Sequence, residues 1–338
     1  MRNSTMVVIG VIGLFGVGGA VAHGQQGGGR GAAQAVPDAP IGKTAFWTNE
    51  DIQARWQENE AKKRNNSRLF NGPTNISANV RIVGDNDPAA THDTTADLWI
   101  VTAGTAVART DGAIDSGTKS IRNGVQRPVK PGDILYVPPG VPHHFTDLKA
   151  FRALLIRFDT IGLVPTQAAG QRGPAPAAAE PAGQRGRGAA AAQPPVPDLP
   201  TDKTAFWTNE DIQARWKDNE ANRRINSRLY NGPANISANV RIVLDNDPPA
   251  THEGTADLWI VTAGTAVART DGTIDSGTKS IRNGVQRPVK PGDILYVPPD
   301  VPHHFTDLKG FRALLIRFDT VGWVQSRPAA AGAGGGGQ

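Results

Sequence analysis

The sequence predicts an all-β protein built from two tandem β-barrels or sandwiches, each preceded by one short helix. Three observations support this fold class. Residues 43–160 recur as residues 203–320 with 104 of 118 aligned positions identical, which indicates two copies of one domain. Within each copy, a single helical segment is followed by a period-two alternation of apolar and polar residues. Turn residues divide the remaining chain into short strands, as is typical of sandwiches and barrels.

Composition limits the classes of function. The chain has 338 residues, of which 38% are hydrophobic and 20% charged, and this is enough to form more than one core. The net charge of +5 is not concentrated in a run of Lys or Arg, so we expect no nucleic-acid partner. The chain contains no cysteine, which excludes disulfides and thiolate chemistry.

The N-terminal segment, from Met1 to Ala22, has the features of a secretory signal peptide. Arg2 is followed by an apolar, Gly-rich run from Met6 to Ala22 that ends in Ala-Val-Ala. The alternative is an uncleaved membrane anchor, but this run is short for a span and is interrupted by several glycines. We therefore expect a secreted or periplasmic protein with no membrane span after signal cleavage.

Low-complexity segments define the predicted domain boundaries. Residues 23–42 and 326–338 are predicted to be disordered, and residues 165–200, rich in Ala, Pro, Gly and Arg, to form a flexible linker. The two domains are predicted at residues 43–164 and 201–325. Because the linker gives near-identical barrels a high effective concentration, we expect them to pair as an intramolecular pseudo-dimer.

Each domain is predicted to open with a helix. Thr48 and Asp51 form a start that resembles a capping box, with acidic residues in the first turn. Ile52 and Trp56 are separated by one helical turn and therefore lie on one face. We expect this face to dock on the domain while the polar remainder, through Lys63, stays in contact with water.

Short strands follow the helix in each domain. Turn sequences such as Asp-Gly, Asn-Gly and Pro-Gly-Asp separate them, and no second helix is expected. In the first domain, apolar and β-branched runs predict strands at residues 76–82, 98–103, 105–110, 134–137 and 151–158.

Six of the seven histidines lie in two recurring segments. In the first domain, one segment carries His92 and Asp97, and the other carries His143 and His144. Imidazole is the commonest neutral metal ligand and a proton carrier near neutral pH. We therefore expect His92, Asp97 and His143 to converge on one metal or ligand site. The equivalent set of the second repeat is His252, Asp257 and His303.

The spacing around these residues resembles the two motifs of the cupin superfamily. The first motif, G(X)5HXH(X)3-4E(X)6G, matches the spacing from Gly84 to Gly104. The second, G(X)5PXG(X)2H(X)3N, matches the spacing from Gly132 to Asp147. In that family the three histidines and the glutamate bind a divalent metal inside a jelly-roll barrel. The resemblance covers both repeats and implies two tandem cupin jelly-roll β-barrels, each with a short N-terminal helix.

The chain departs from the family motifs at several positions. Ala90 stands where the family has its first histidine, Asp97 replaces the glutamate, and Asp147 replaces the final asparagine. In the second repeat, Leu244 and Asp300 replace two motif glycines. The resemblance therefore implies a reduced ligand set of two histidines and one carboxylate in each domain: His92, Asp97 and His143, and His252, Asp257 and His303.

Two imidazoles and one carboxylate can hold Fe, Mn, Ni, Cu or Zn with open coordination positions. A further donor could come from Asp93, its equivalent Glu253, or His144. Otherwise His144, if strand-like, faces outward as a surface or interface residue. A structural alternative remains, in which Asp97 bonds backbone groups at the barrel mouth and His143 is a packing residue.

Residues on the same strand as Asp97 are candidates for the pocket wall. Alternate side chains on a strand share a face. If Asp97 points into the barrel, Trp99 and Val101 therefore line the same pocket, although a buried tryptophan is more often a core residue. Their equivalents in the second repeat are Trp259 and Val261.

Two classes of function remain open at this point. The first is a metalloenzyme, for which the cupin resemblance implies an oxygenase, decarboxylase, isomerase or lyase without distinguishing among them or assigning catalytic residues. The second is a metal-free, non-catalytic module that binds a ligand or forms part of the cell envelope. In the first class, and in a binding module of the second, the expected partner is a small organic molecule or a carbohydrate.

Overall fold

The structure is a computed structural model that describes residues 42–71, 76–84, 87–159, 196–231, 236–245 and 247–319. The predicted signal peptide, the C-terminal tail and residues 165–195 of the predicted linker lie outside these ranges. Within the described ranges, no helix is long and apolar enough to cross a membrane.

The first repeat is mostly β-structure, and its described part contains one helix. The strands are short except for two that run to 16 and 17 residues. In chain order the elements are β1 (Ala45–Trp47), α1 (Asn49–Ala61), β2 (Asn66–Asn71), β3 (Ile76–Ile82), β4 (Thr95–Thr110), β5 (Ala113–Ile114), β6 (Ile121–Arg122), β7 (Val125–Val129), β8 (Ile134–Val137) and β9 (His143–Asp159).

The second repeat has the same order of elements, and the two together confirm the predicted all-β class with one helix before each barrel. Its elements are β10 (Ala205–Trp207), α2 (Asn209–Ala221), β11 (Asn226–Asn231), β12 (Ile236–Ile242), β13 (Thr255–Thr270), β14 (Thr273–Asp275), β15 (Ser280–Arg282), β16 (Val285–Val289), β17 (Ile294–Val297) and β18 (His303–Asp319).

Each large sheet has seven strands and takes one of them from the other repeat. The first sheet has the order β10-β8-β4-β9-β3-β2, with β7 also paired to β4. Strand β10 pairs antiparallel with β8, so that Trp207 lies opposite Ile134. Likewise, β1 pairs with β17, and Trp47 lies opposite Ile294. The repeats therefore exchange their N-terminal strands, which the sequence pattern does not predict.

Helix α1 begins at the predicted capping box. The Thr48 hydroxyl accepts from the backbone N–H of Asp51, and the Asp51 carboxylate accepts from the backbone N–H of Thr48. A second carboxylate comes from the other repeat, because the backbone N–H of Asn49 donates to Asp293 at 2.7 Å. Negative charge is favourable at the positive end of a helix. The helix start therefore belongs to the contact between the repeats.

Apolar side chains form a shared core and a separate core inside each barrel. The shared core contains residues of both repeats and of both helices, including Leu98 and Ile100 of β4. Leu199, which lies in the predicted linker, is also buried there. Trp99 and Val101 instead belong to the interior of the first barrel. Alternation along β4 thus divides its side chains between the two cores.

Strand β4 differs from the prediction made from turn residues. The sequence pattern predicts separate strands at residues 98–103 and 105–110, but the structure has one continuous strand with register shifts against β9 on either side of Gly104. Gly104 has φ +66°, and a Cβ there would lie 2.2 Å from two carbonyl oxygens of β9. Bulges bend a strand without ending it. The glycine therefore marks a bend at a close backbone contact.

Replacing Gly104 by Ala should lower the free energy of unfolding by at least about 2 kcal/mol, because the new methyl group meets backbone atoms that cannot move away independently. Urea unfolding of the full chain would measure this. The matched control is Gly140→Asp, since Gly140 also has positive φ but open space around it, and the second repeat carries Asp300 there with φ +62°. The control should cost about 1 kcal/mol, the strain of a non-glycine residue at positive φ, and equal losses would contradict the crowding at Gly104.

Candidate metal centre

Backbone pairing places the segment before β4 against the start of β9. Ala90 and His143 exchange two hydrogen bonds, of 3.0 and 2.9 Å, between their backbone N–H and carbonyl groups. The N–H of Gly140 donates to the carbonyl of His92 at 2.9 Å. These contacts hold the rings of His92 and His143 with their centroids 5.2 Å apart. Ala90, where the family motif has a histidine, therefore lies beside His143 without offering a ligand.

Three potential ligand atoms converge in each barrel. Asp97 Oδ2 lies 3.7 Å from His92 Nε2 and 3.5 Å from His143 Nε2. The two equivalent distances in the second barrel are both 3.6 Å. A tetrahedral ion with bonds of about 2.0–2.2 Å holds neighbouring ligands roughly 3.3–3.6 Å apart. The distances from the carboxylate oxygen to the two histidines are close to this range, and metal binding itself stays a prediction.

Burial keeps the imidazoles neutral, which is the form that binds metals. Burial lowers the pKa of His143 to about 4, although the negative charge of Asp97 acts to raise it. The pKa of His252 falls to about 4 for the same reason. His143 Nδ1 lies 3.4 Å from the carbonyl oxygen of Val141, which can only accept. The ring proton therefore lies on Nδ1, and Nε2 offers its lone pair to the site.

The Asp97 carboxylate is paired with an arginine that lies outside both sequence motifs. Asp97 is 1% exposed and lies opposite Arg157 in the register of β4 and β9. Arg157 Nε donates to Oδ1 at 2.7 Å, and Nη2 donates to Oδ2 at 2.8 Å. Nη2 also lies 2.9 Å from His92 Nε2. Since a guanidinium can only donate, His92 Nε2 is the acceptor.

The second barrel repeats this arrangement. Arg317 donates to the two oxygens of Asp257 at 2.7 and 2.8 Å and lies 2.9 Å from His252 Nε2. Burial of Asp257 would raise its pKa, but the charge and hydrogen bonds of Arg317 outweigh burial and lower the pKa to about 2. The carboxylate is therefore ionised at neutral pH and has its countercharge within the barrel.

Alternation along β9 contains a signal that could have identified Arg157. Phe151, Ala153 and Leu155 belong to the interior core of the first barrel. Arg157 is the next residue of this series, and a charge on an inward face requires a partner. The partner could not be read from the sequence, because Asp97 lies on a different strand, far away along the chain.

The further donors considered from the sequence do not join the group. Among the described residues, the potential ligand atoms that converge belong to the two histidines and the aspartate, without Asp93 or His144. His144 is half-buried rather than fully exposed. Its equivalent His304 uses Nε2 in a 2.8 Å hydrogen bond to the backbone carbonyl of Asp247.

The predicted pocket residues lie at different distances from the donors. The rings of Trp99 and His143 have centroids 6.3 Å apart, so the indole borders the site. Val101 is buried in the barrel core further along β4. In the second repeat, Trp259 lies 6.2 Å from His303, and Val261 is again a core residue.

Two of the three donors of the second barrel, His252 and His303, line a cavity of about 620 Å³. Its walls also include Arg317 and Trp259. These residues are identical in the two repeats, whereas three other wall residues differ. The three are Ile225, Pro249 and Glu253, which correspond to Asn65, Ala89 and Asp93 of the first repeat.

Replacing Asp257 by Asn should destabilise the protein by about 3 kcal/mol in the presence of a chelator, because the shape is kept while Arg317 loses its buried countercharge. Urea unfolding would measure the loss. The double variant Asp257→Asn with Arg317→Met should be more stable than the single variant. Asp300→Asn, at an exposed position, is the control and should change stability by less than about 0.5 kcal/mol. A double variant no more stable than the single one would contradict the pairing.

Comparison with known proteins identifies the fold. No family model and no curated protein matches the chain. Salicylate 1,2-dioxygenase from Pseudaminobacter salicylatoxidans aligns with a TM-score of 0.52 and 15% identity, covering 82% of this chain and 84% of that chain. A variant of that enzyme aligns with a TM-score of 0.51 and 14% identity over the same shares of the two chains. A cupin 2 conserved barrel domain protein from Leptotrichia buccalis aligns with a TM-score of 0.42 and 13% identity, covering 75% of this chain and 88% of that chain. The alignment with salicylate 1,2-dioxygenase, the motif spacing and the two seven-stranded sheets together show that the chain has the tandem cupin fold, with two barrels in one polypeptide.

Proposed function

We propose that each barrel binds one divalent transition metal and uses it to hold a small oxygenated organic ligand. The observation that carries this proposal is the convergence of three donor atoms in both repeats. Each of the two histidine Nε2 atoms lies 3.5–3.7 Å from the aspartate Oδ2. The ligands would be His92, Asp97 and His143 in the first barrel and His252, Asp257 and His303 in the second. The ion could be Fe, Mn, Ni, Cu or Zn, since this donor set suits each of them.

The side chains around the donors suit this role. A metal with three protein ligands keeps open positions and acts there as a Lewis acid toward an oxygen ligand. Burial keeps His143 neutral, and the Val141 carbonyl orients its ring. Asp97 supplies the one negative charge among the donors. The chain thus provides ligands in the protonation state that metal binding requires.

The cavity limits the class of ligand. A volume of about 620 Å³ lies in the range of small-molecule sites. Trp259 gives it an aromatic wall, and its charged wall residues carry both signs, Arg241 and Arg317 against Asp247 and Glu253. These features favour a small polar oxygenated ligand, such as a sugar-like molecule. The salicylate 1,2-dioxygenase of similar fold is named for one such molecule. The signal-like N-terminal segment adds the expectation that the protein acts outside the cytoplasm.

A metal-free binding module is the second candidate, and one observation favours it. The Arg157 guanidinium already pairs with the Asp97 carboxylate and with His92 Nε2. In this form the arginine satisfies the buried charge, and the barrel binds a polar or anionic organic molecule without an ion. The two candidates therefore differ in which cation the carboxylate holds.

Elemental analysis of the purified full chain should find about one equivalent of transition metal per barrel. The double variant His92→Ala with His252→Ala should lose most of it, because metal affinity depends on every ligand being in place. The control, His144→Ala with His304→Ala, removes neighbouring imidazoles outside the converging groups and should retain the metal. Less than about a tenth of an equivalent per barrel in the wild-type protein would reject the metal proposal and leave the metal-free module.

A further inference from the structure

The candidate metal centre already contains a cation that belongs to the chain. Arg157 contacts two of the three potential ligands, Asp97 and His92, at distances between 2.7 and 2.9 Å. Arg317 makes the same contacts in the second barrel. The arrangement is therefore a repeated feature of the fold. A function that uses these donors has to account for the guanidinium.

The lone pairs of the donors determine whether the arginine and a metal can be bound at the same time. A carboxylate has about four acceptor positions, so Asp97 can serve an arginine and a metal together. A neutral imidazole has a single unprotonated nitrogen. His92 Nε2 uses its lone pair to accept from Arg157 Nη2. It can bind a metal only after the arginine has released it.

Electrostatic repulsion also disfavours binding of the arginine and a metal at the same time. Within the described part of the chain, Asp97 is the carboxylate that Arg157 contacts, and it is 1% exposed. A divalent ion at the three donors would bring two positive charges next to the guanidinium, with one buried negative charge between them. Repulsion in such a site is stronger than in water. Metal binding therefore favours movement of the arginine away from the donors.

The arginine has space to move. The side chain of Arg157 is 32% exposed, and that of Arg317 is 27% exposed. Arg317 also lines the 620 Å³ cavity. A displaced guanidinium can therefore turn toward the water-accessible side of the barrel without crossing the apolar core.

We propose that Arg157 and Arg317 are the resident cations of the two sites and compete with the metal for His92 and His252. This inference deepens the function proposed above, because it uses the same donors and states what has to leave when a metal binds. It has two consequences. The barrel keeps its buried carboxylate paired without metal, so folding does not depend on loading. The affinity for metal is also lower than that of the same donors without the arginine.

The opposite role for the arginine makes the opposite prediction. If Arg157 only orients the Asp97 carboxylate for the metal, its removal should lower metal affinity by about 10- to 100-fold, as loss of such supporting contacts generally does. If it competes, its removal should raise the affinity. The sign of the change therefore separates the two roles.

The test is a Co²⁺ titration of the full metal-free chain in competition with a chromogenic chelator. In Arg157→Met, one of the two sites should bind Co²⁺ about 10- to 100-fold more tightly, which corresponds to the loss of charge-assisted hydrogen bonds to the donors. The other site should be unchanged. In the double variant with Arg317→Met, both sites should gain. The control is Arg152→Met, which removes an arginine of the same strand that binds Glu60 outside the barrel interior.

Thermal unfolding gives a second readout that does not depend on activity. Without metal, Arg157→Met should melt about 5–10 °C below the wild-type protein, because Asp97 loses its countercharge. Co²⁺ should raise the melting temperature of the variant more than that of the wild type. Arg157→Lys tests the same point in a milder form, because it keeps a charge for Asp97 but loses the planar fork. It should show a smaller gain in affinity and a smaller loss of stability.

The outcomes for the two proposals can be told apart. If the wild type binds Co²⁺ and the methionine variants bind it no more tightly, the competition is rejected and the metal function stands. If the wild type binds no Co²⁺ and the variants do, the competition stands and the metal function is rejected in favour of the metal-free module. If none of them binds Co²⁺, both proposals are rejected.

Discussion

The ion pair between the buried Asp97 carboxylate and Arg157 is the interaction on which the candidate site depends. A carboxylate that is 1% exposed needs a countercharge, since an unpaired charge in the interior is costly. The register of β4 and β9 places the arginine directly opposite the aspartate. The same pair occurs in the second barrel between Asp257 and Arg317. In each barrel, the histidines therefore surround an aspartate whose charge the arginine already balances.

The pairing of the two repeats positions both sites in one compact unit. Each sheet takes one strand from the other repeat, and apolar residues of both repeats pack in one shared core beside the two barrel interiors. The turn that precedes β8 takes part as well, because Asp133 accepts from the backbone N–H of Asn209 at the start of α2. Asp133 follows Gly132, the first glycine of the second cupin motif. Residues of that motif therefore serve the contact between barrels as well as the site within one.

The two barrels have the same candidate donors and differ at positions that line the cavity of the second barrel. The histidines, aspartate, arginine and tryptophan of the site are identical in the repeats. Ile225 and Pro249 of the second repeat replace Asn65 and Ala89 of the first, which makes the second wall more apolar. The differences between the repeats therefore lie in the wall that a ligand would contact. The polar residues that would hold the ligand are the same in both repeats.

Sequence alone was sufficient for the fold class, and it named three of the four residues that converge at each candidate site. Periodicity, turn residues and a capping box are local signals, and the duplicated motif spacing carried the cupin resemblance and the positions of His92, Asp97 and His143. The tertiary structure decided the rest. The exchanged strands, the bend at Gly104 and the partner of Asp97 all depend on which distant segments lie side by side. Arg157 was visible in the sequence as a charge on an inward strand face, but only the register of β4 and β9 brings it to Asp97, which is distant along the chain.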